Sequence, residues 1–549
     1  MKASLFRFKL KLSIVFCLAV FMLLSATGGA STQQAEGGKA SLSPQEKRGK
    51  QIYLKGEGGA GGEGGAGGEI VAGLGSGDLD LPATSFACVN CHGLRGEGTS
   101  EGGLQPPPVT WAALMRAHTS TLTRRERPAY TEATLARAIG ESLDSSGARL
   151  HPGMPRYRMT AAQMADLIAY LKRLGTSSDT DPGITEETIK IGAALPLTGP
   201  LSAIGEDVKA TLLASFAQVN AQGGIYNRRF ELVVEDSRGD AAQTLEATRR
   251  LIEQDNVFAL VGSFETGDSN ALNEFIKRSE VPLVGPVTLS PRLAVPPNPY
   301  VFYLLPTFGD QARALVDFVH TKAAGKPLKL AVVYADNDFD RDALAGAQAQ
   351  ARLYGMEIVA EQSYATGRFD AVKTVALLTE KKAERVFFFG GADDINLCAR
   401  EMERAKLNAA LLTSVVMIGR GAFTLPPAVA ARTFLSYPSA LPNQEDFAEF
   451  IGLMQKAGAR LRSPAFQSVA YAATKLMFEA AKLSSRQLDR ATLINSLERV
   501  QDLRTGVVPP LTFGPNRRVG SIGSYIVGVD LANQQYTPLS ERLVPKEKL

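Results

Sequence analysis

Ser85 to Gly98 reads SFACVNCHGLRGEG and holds two of the four cysteines in a chain of 549 residues. Cys88 and Cys91 are two residues apart, and His92 follows directly. Two thiols on one helical turn can reach both vinyl groups of a single porphyrin. The adjacent histidine is then held under the iron as an axial ligand. The spacing therefore predicts one covalently attached haem c on Cys88 and Cys91, with His92 on the metal. A zinc site would need two more ligands at comparable spacing, and none is near in sequence. A redox dithiol is the other competing reading.

Helix signals surround this stretch. Ser43 stands as an N-cap with Pro44 at the first helical position and Glu46 closing a capping box. The following GEGGAGGEGGAGGE is almost all glycine, so residues 56–68 read as a flexible insertion that cannot bury apolar surface. Helices are expected over 130–143 and 160–174. In the second, Met164, Leu167, Ile168, Leu171 and Leu174 form one apolar face, and Thr160 with Gln163 makes another capping box. For the sixth iron ligand the residues leave Met154, Met159 and His151 open. Together, residues 43–174 resemble a class I cytochrome c domain: an N-terminal helix, CVNCHG, then MPRYRMTAAQMADLIAYLKRL. That resemblance implies a small all-α fold, one-electron transfer, and Met154, the methionine before Pro155, as the sixth ligand. The glycine-rich insertion departs from the compact family pattern and puts that edge of the pocket in doubt.

The chain begins with Lys2, Arg7, Lys9 and Lys11 ahead of an apolar run from Leu12 to Leu24, then SATGGAST. This is the pattern of a secretory signal peptide over residues 1–30, with a leader at 31–42; an uncleaved membrane anchor is the alternative. The run is shorter than the ~20 apolar residues of a spanning helix. Haem attachment of this kind happens on the exported side of a bacterial membrane, so both signals indicate the periplasm. Net charge is only +4 and the basic residues do not cluster, which argues against a nucleic-acid partner. Four cysteines exclude a disulfide scaffold.

GTSSDTDPGITEE, polar and turn-rich, reads as a linker over 175–187. Beyond it, apolar strands such as TIKIGAAL, VFALVGS, LKLAVVYAD and RVFFFGG alternate with amphipathic helices. That rhythm predicts two doubly wound parallel sheets covered on both faces. Residues 184–530 resemble the type I periplasmic solute-binding proteins, in particular the branched-chain amino-acid receptors of ABC importers. PLTGP, NAQGGIYNRRFELVVED, LVGSFETG and PPLTFGPNRR carry the resemblance. It implies a domain over 188–549 with two lobes, a boundary near 307, and return crossings near 437 and 505.

Ligands of such sheets sit beyond the carboxyl ends of the strands. There the resemblance places Thr266 on a ligand carboxylate and Val287 at a backbone contact. Leu289 falls where a threonine is usual, and Ile204 where an aromatic ring covers the ligand. Ala392 or Asp393 takes the place of a tyrosine, and Val416 or Met417 that of the glutamate meeting the ligand ammonium. A buried charge without a partner is costly, so these exchanges point away from a free aliphatic amino acid. They favour a more apolar or singly charged molecule, such as an aromatic acid. A cleft that has lost ligand binding is the bland reading.

No catalytic constellation emerges, and an enzyme is not expected. The chain reads as an exported mono-haem cytochrome with a fused solute-binding module, its partners a periplasmic or membrane redox protein (a dehydrogenase or another cytochrome) and a small molecule. The alternatives are an ABC-importer receptor, with a permease partner and the cytochrome as tether, and a periplasmic sensor.

Overall fold

The computed structural model describes residues 42–58, 68–75, 79–98, 106–119, 125–176, 179–267, 269–288, 291, 293, 296–324, 326–441, 444–484 and 488–546. The expected signal peptide, nearly all of the leader, residues 59–67 of the glycine-rich insertion, and Leu289 lie outside the described residues. The chain forms two compact units, residues 1–179 and 180–549. Among the described residues no helix is long and apolar enough to cross a membrane.

In the first unit the helix Pro44–Lys55 starts at the Ser43–Glu46 capping box and stops at Gly56 in the left-handed region. It packs on the helix Ala161–Leu171, which Thr160 and Gln163 cap as expected. The two axes approach closely at Gly49, where a Cβ would lie 2.0 Å from the Asp166 carbonyl oxygen and 2.7 Å from the Tyr170 Cβ. Arg48 grips the Asp166 carboxylate with two hydrogen bonds of 2.7 and 3.0 Å beside that contact. The rings of Tyr53 and Tyr170 meet 5.6 Å apart one turn further on. A third helix, Glu132–Glu141, buries Leu135, Ala138 and Ile139 in the same core.

The helical frame carries an addition that the sequence did not announce. Strands β1 (Val71–Leu74) and β2 (Leu79–Pro82) form an antiparallel hairpin just after the glycine-rich stretch. A small ribbon, β3 (His118–Thr119) with β4 (Glu126–Arg127), lies further along the chain. Strand β5 (Arg156–Arg158) then pairs with β1, with Tyr157 opposite Ala72, giving a three-stranded sheet. The expected linker is largely ordered as well. Asp179 accepts from the Tyr170 hydroxyl and pairs with Lys50 inside the first unit. Asp181 accepts from the Arg490 backbone N–H inside the second.

The second unit has two parallel sheets, as the apolar strands predict. The first lobe contains β6 (Thr188–Leu195), β7 (Arg229–Asp236), β8 (Ala259–Val261), β9 (Leu283–Val284) and β10 (Val301–Phe302), in the order β10-β9-β8-β6-β7. The second contains β11 (Lys329–Ala335), β12 (Glu357–Tyr364), β13 (Arg385–Phe389), β14 (Ala410–Ser414) and β15 (Thr433–Tyr437). Antiparallel β16 (Tyr525–Asp530) and β17 (Gln535–Pro538) complete it, in the order β12-β11-β13-β14-β15-β16-β17. The helix Pro464–Leu483 is buried along most of its length and returns to the core of the first lobe.

Three passages join the lobes. The first follows Leu304 and Leu305, which belong to one core, and reaches Phe308, which belongs to the other. The second follows β15. The third falls between Ser521 and Ser524 rather than near 505. Residues 500–520 stay in the first lobe because Leu503 bridges Leu511, Val519 bridges Tyr303, and Val507, Leu511 and Phe513 are buried there. Ser521 N–H donates to the Leu304 carbonyl, so the first and third passages run side by side.

Gly49→Ala is expected to destabilise the first unit by about 2 kcal/mol or more, since the methyl group meets rigid backbone. Thermal unfolding followed in the haem absorption region checks this, and an unchanged melting temperature would mean the helices do not touch there.

A candidate haem centre and the strand ends of the two lobes

The helix Cys88–His92 places the two cysteines and the histidine on one short turn. Neither cysteine is in a disulfide; Cys88 is half-buried and Cys91 exposed. His92 is only 7% exposed, and its Nδ1 lies 3.0 Å from the Pro107 carbonyl oxygen. A carbonyl can only accept, so Nδ1 carries the proton and Nε2 keeps its lone pair. Burial holds the imidazole below its usual pKa, with the Pro107 contact working against it. A neutral, pre-oriented ring with Nε2 free is what an iron ligand requires. Burial also pushes the Cys88 thiol up to about 12. The turn is anchored from the helix pair, because the buried Tyr53 hydroxyl donates to the Gly93 carbonyl at 2.7 Å.

The candidates for the sixth position separate only in part. His151 is exposed, and its Nδ1 already accepts from the Gly153 N–H at 3.1 Å. Met154 and Met159 are both partly buried and pack on the core of the first unit. The loop leading to Met154 is built on Asp144, 1% exposed. Its carboxylate accepts from the Ser146 hydroxyl and from the N–H groups of Ser146 and Ala148, and pairs with Arg125. Pro155 behind Met154 is buried, and β5 follows at once. The set of two thiols, one imidazole and one thioether fits a c-type haem.

In the second unit the expected residues do follow strand ends, but their roles differ. Thr266 is partly buried, and its hydroxyl is shielded from solvent without a hydrogen-bond partner among the described residues, which suits a group that meets a ligand. Val287 is fully buried; its N–H donates to Ser263 and its carbonyl accepts from Glu265. Its N–H is thus spent on continuing the sheet, while its carbonyl oxygen has a second lone pair for the backbone contact expected there. Ile204 packs on the core of the first lobe, so its side chain is partly committed to that core. Asp393 is exposed in the first turn of the helix Ala392–Arg404, while its neighbour Asp394 accepts from the Tyr364 hydroxyl at 3.0 Å. Val416 and Met417 are partly buried and pack on the cores of the second lobe.

Sequence reasoning passed over the loop after β11. There Asn337 caps the helix Asp338–Leu353 and donates to Asp340 at 2.7 Å. Burial raises the Asp340 carboxyl to about 6. Phe339 in the same loop meets Phe308 edge-on. The signal was available: NDFDRD follows an apolar strand, where ligands of such sheets are met. Glu265 was also missed. Its carboxylate faces the Tyr303 hydroxyl at 3.4 Å, beside the first passage between the lobes.

The family model described as periplasmic binding protein matches residues 188–535. The chain belongs to the periplasmic binding protein family. A second model, cytochrome c, matches residues 83–175, so a cytochrome c domain stands ahead of the binding module and implies a covalently bound haem. The chain is 25% identical over 337 residues to Leu/Ile/Val-binding protein homolog 7 of Brucella abortus (strain 2308), covering 58% of this chain and 82% of that protein. Among solved structures, the fold resembles a fatty acid ABC transporter substrate-binding protein from Thermomonospora curvata. The TM-score is 0.54 at 20% identity, over 67% of this chain and 95% of that one. It also resembles a branched chain amino acid ABC transporter from Thermus thermophilus with bound valine. There the TM-score is 0.52 at 18% identity, over 66% and 97% of the two chains. Proteins of both families are typically exported.

Burial raises the Glu265 carboxyl to about 7, with the Tyr303 contact working the other way. The folded chain therefore holds this proton more tightly than the unfolded chain. The stabilisation is full below the unfolded value near 4.5 and is lost as pH rises through 7. Glu265→Gln keeps an acceptor for Tyr303 without the charge. It is expected to stabilise the binding module by on the order of 2 kcal/mol at pH 8 and to have little effect at pH 4.5. Thermal melts at the two pH values check this, and equal shifts at both would exclude the carboxyl as the titrating group.

Proposed function

We propose that this is an exported mono-haem electron carrier joined to a receptor for a small carboxylate. The observation that carries the redox half is His92, buried and neutral, with Nδ1 tied to Pro107 and Nε2 left for iron. Haem c held by Cys88 and Cys91 supplies one-electron chemistry between ferric and ferrous iron. The chain's own part would be to hold the imidazole in one tautomer, shelter it from water, and supply a thioether as a further ligand. Met154 is the sixth ligand in this reading. A thioether favours ferrous iron and so raises the reduction potential.

For the receptor half, the unpartnered Thr266 hydroxyl takes one oxygen of a carboxylate. Val416 and Met417 supply apolar surface where an ammonium would need an acid. The ligand is then a carboxylate with an apolar body, such as an aromatic acid, rather than a free aliphatic amino acid. The fusion suggests that the module recognises a substrate or product of a periplasmic dehydrogenase whose electrons the haem accepts. The Leu/Ile/Val-binding relatives favour a second reading, a receptor for an ABC permease with the cytochrome as its tether.

Intact-mass measurement of protein matured in a haem-attaching host is expected to show one haem per chain, and none in a Cys88→Ala, Cys91→Ala double variant. Wild-type chain without added mass would remove the redox reading. Calorimetric titration of the full chain with leucine and isoleucine is expected to give no tight binding, and a submicromolar affinity for either would overturn the ligand class.

A further inference from the structure

The two segments that bear the iron ligands are far apart in sequence, and one side chain joins them. Tyr157 stands three residues after Met154 in β5 and is 4% exposed. Its hydroxyl donates to the Phe86 carbonyl at 2.6 Å, two residues before Cys88, and also meets the Cys88 thiol. Its backbone is held as well. Tyr157 lies opposite Ala72 of β1, and β1 pairs with β2. The end of β2 runs through the turn Ala83–Phe86 directly into the helix Cys88–His92. The Ala83 N–H donates to the Ile70 carbonyl, closing the base of that hairpin. The strand after Met154 is therefore tied to the thiol-bearing segment through a sheet and through one buried hydroxyl.

We propose that Tyr157 is a positioning residue that fastens the Met154 segment to the segment of Cys88 and His92, so that the thioether stays in place opposite His92. The inference rests on Met154 as the sixth ligand. Removing the hydroxyl leaves the packing of the ring intact but takes the donor from the part-buried Phe86 carbonyl and frees the strand to shift. A ring that only filled space would lose stability without changing how tightly the sulfur is held.

The test uses the full-length haem-loaded protein in its ferric form, with imidazole as the competing ligand and the sulfur-to-iron charge-transfer band as readout. Tyr157→Phe is expected to bind imidazole roughly five- to tenfold more tightly than wild type, the scale of one hydrogen bond. Its reduction potential is expected to fall. Ile139→Val, a cavity in the same core, should leave both unchanged. If Tyr157→Phe keeps the wild-type imidazole affinity and potential while Met154→Ala loses the band, the fastening role is overturned and the ligand assignment stands. If Met154→Ala keeps the band, the ligand assignment itself fails and takes the inference with it.

Discussion

The close approach of two helices at Gly49 is the contact on which the cytochrome c unit depends. With no Cβ there, the first helix can lie against the Asp166 carbonyl, and the Arg48–Asp166 pair locks the crossing from the side. The crossing puts Tyr53 deep enough for its hydroxyl to reach the Gly93 carbonyl. That hydrogen bond fixes the end of the short helix carrying Cys88, Cys91 and His92. A chain of rigid contacts thus runs from helix packing to the orientation of one imidazole. Such sites work when the groups behind the ligand are themselves immobile.

The binding module is organised by a different constraint. Its central strands are apolar on both faces, so helices must cover each sheet twice, and the polar groups are driven to the strand ends. Asn337, Phe339, Asp340, Tyr364 and Asp394 gather beyond β11, β12 and β13 for this reason. Most of the polar groups there are already paired within the lobe, as Asp340 is with Asn337 and Asp394 with Tyr364. The hydroxyl of Thr266 is buried without a partner among the described residues. Two of the passages between the lobes run side by side at Leu304 and Ser521.

Much of this was legible in the residues. The Cys88–Cys91–His92 spacing matches the reach of two thiols to one porphyrin, and capping boxes at Ser43 and Thr160 are local signals that need no tertiary context. Apolar runs such as RVFFF and LAVVYA announce buried parallel strands by composition alone. What escaped depended on distant partners. The hairpin β1–β2 has short strands whose pairing makes sense only once β5 arrives from more than seventy residues away. The third passage between the lobes was placed too early because the bridge of Val519 to Tyr303 joins segments that have no mark of each other in sequence. Nor does sequence show that the Val287 N–H is used by the sheet, donating to the Ser263 carbonyl.

The sequence by itself determined the type of each unit, the Cys88–Cys91–His92 motif and the alternation that builds two lobes, because these follow from local spacing and hydrophobic period. Only the tertiary structure decided that His92 offers Nε2, that Tyr157 reaches Phe86, and that the Thr266 hydroxyl is buried without a partner among the described residues. Those outcomes are hydrogen-bond choices made among groups brought together by packing. A donor or acceptor is committed only when every competing partner is in place, and no local pattern contains that list.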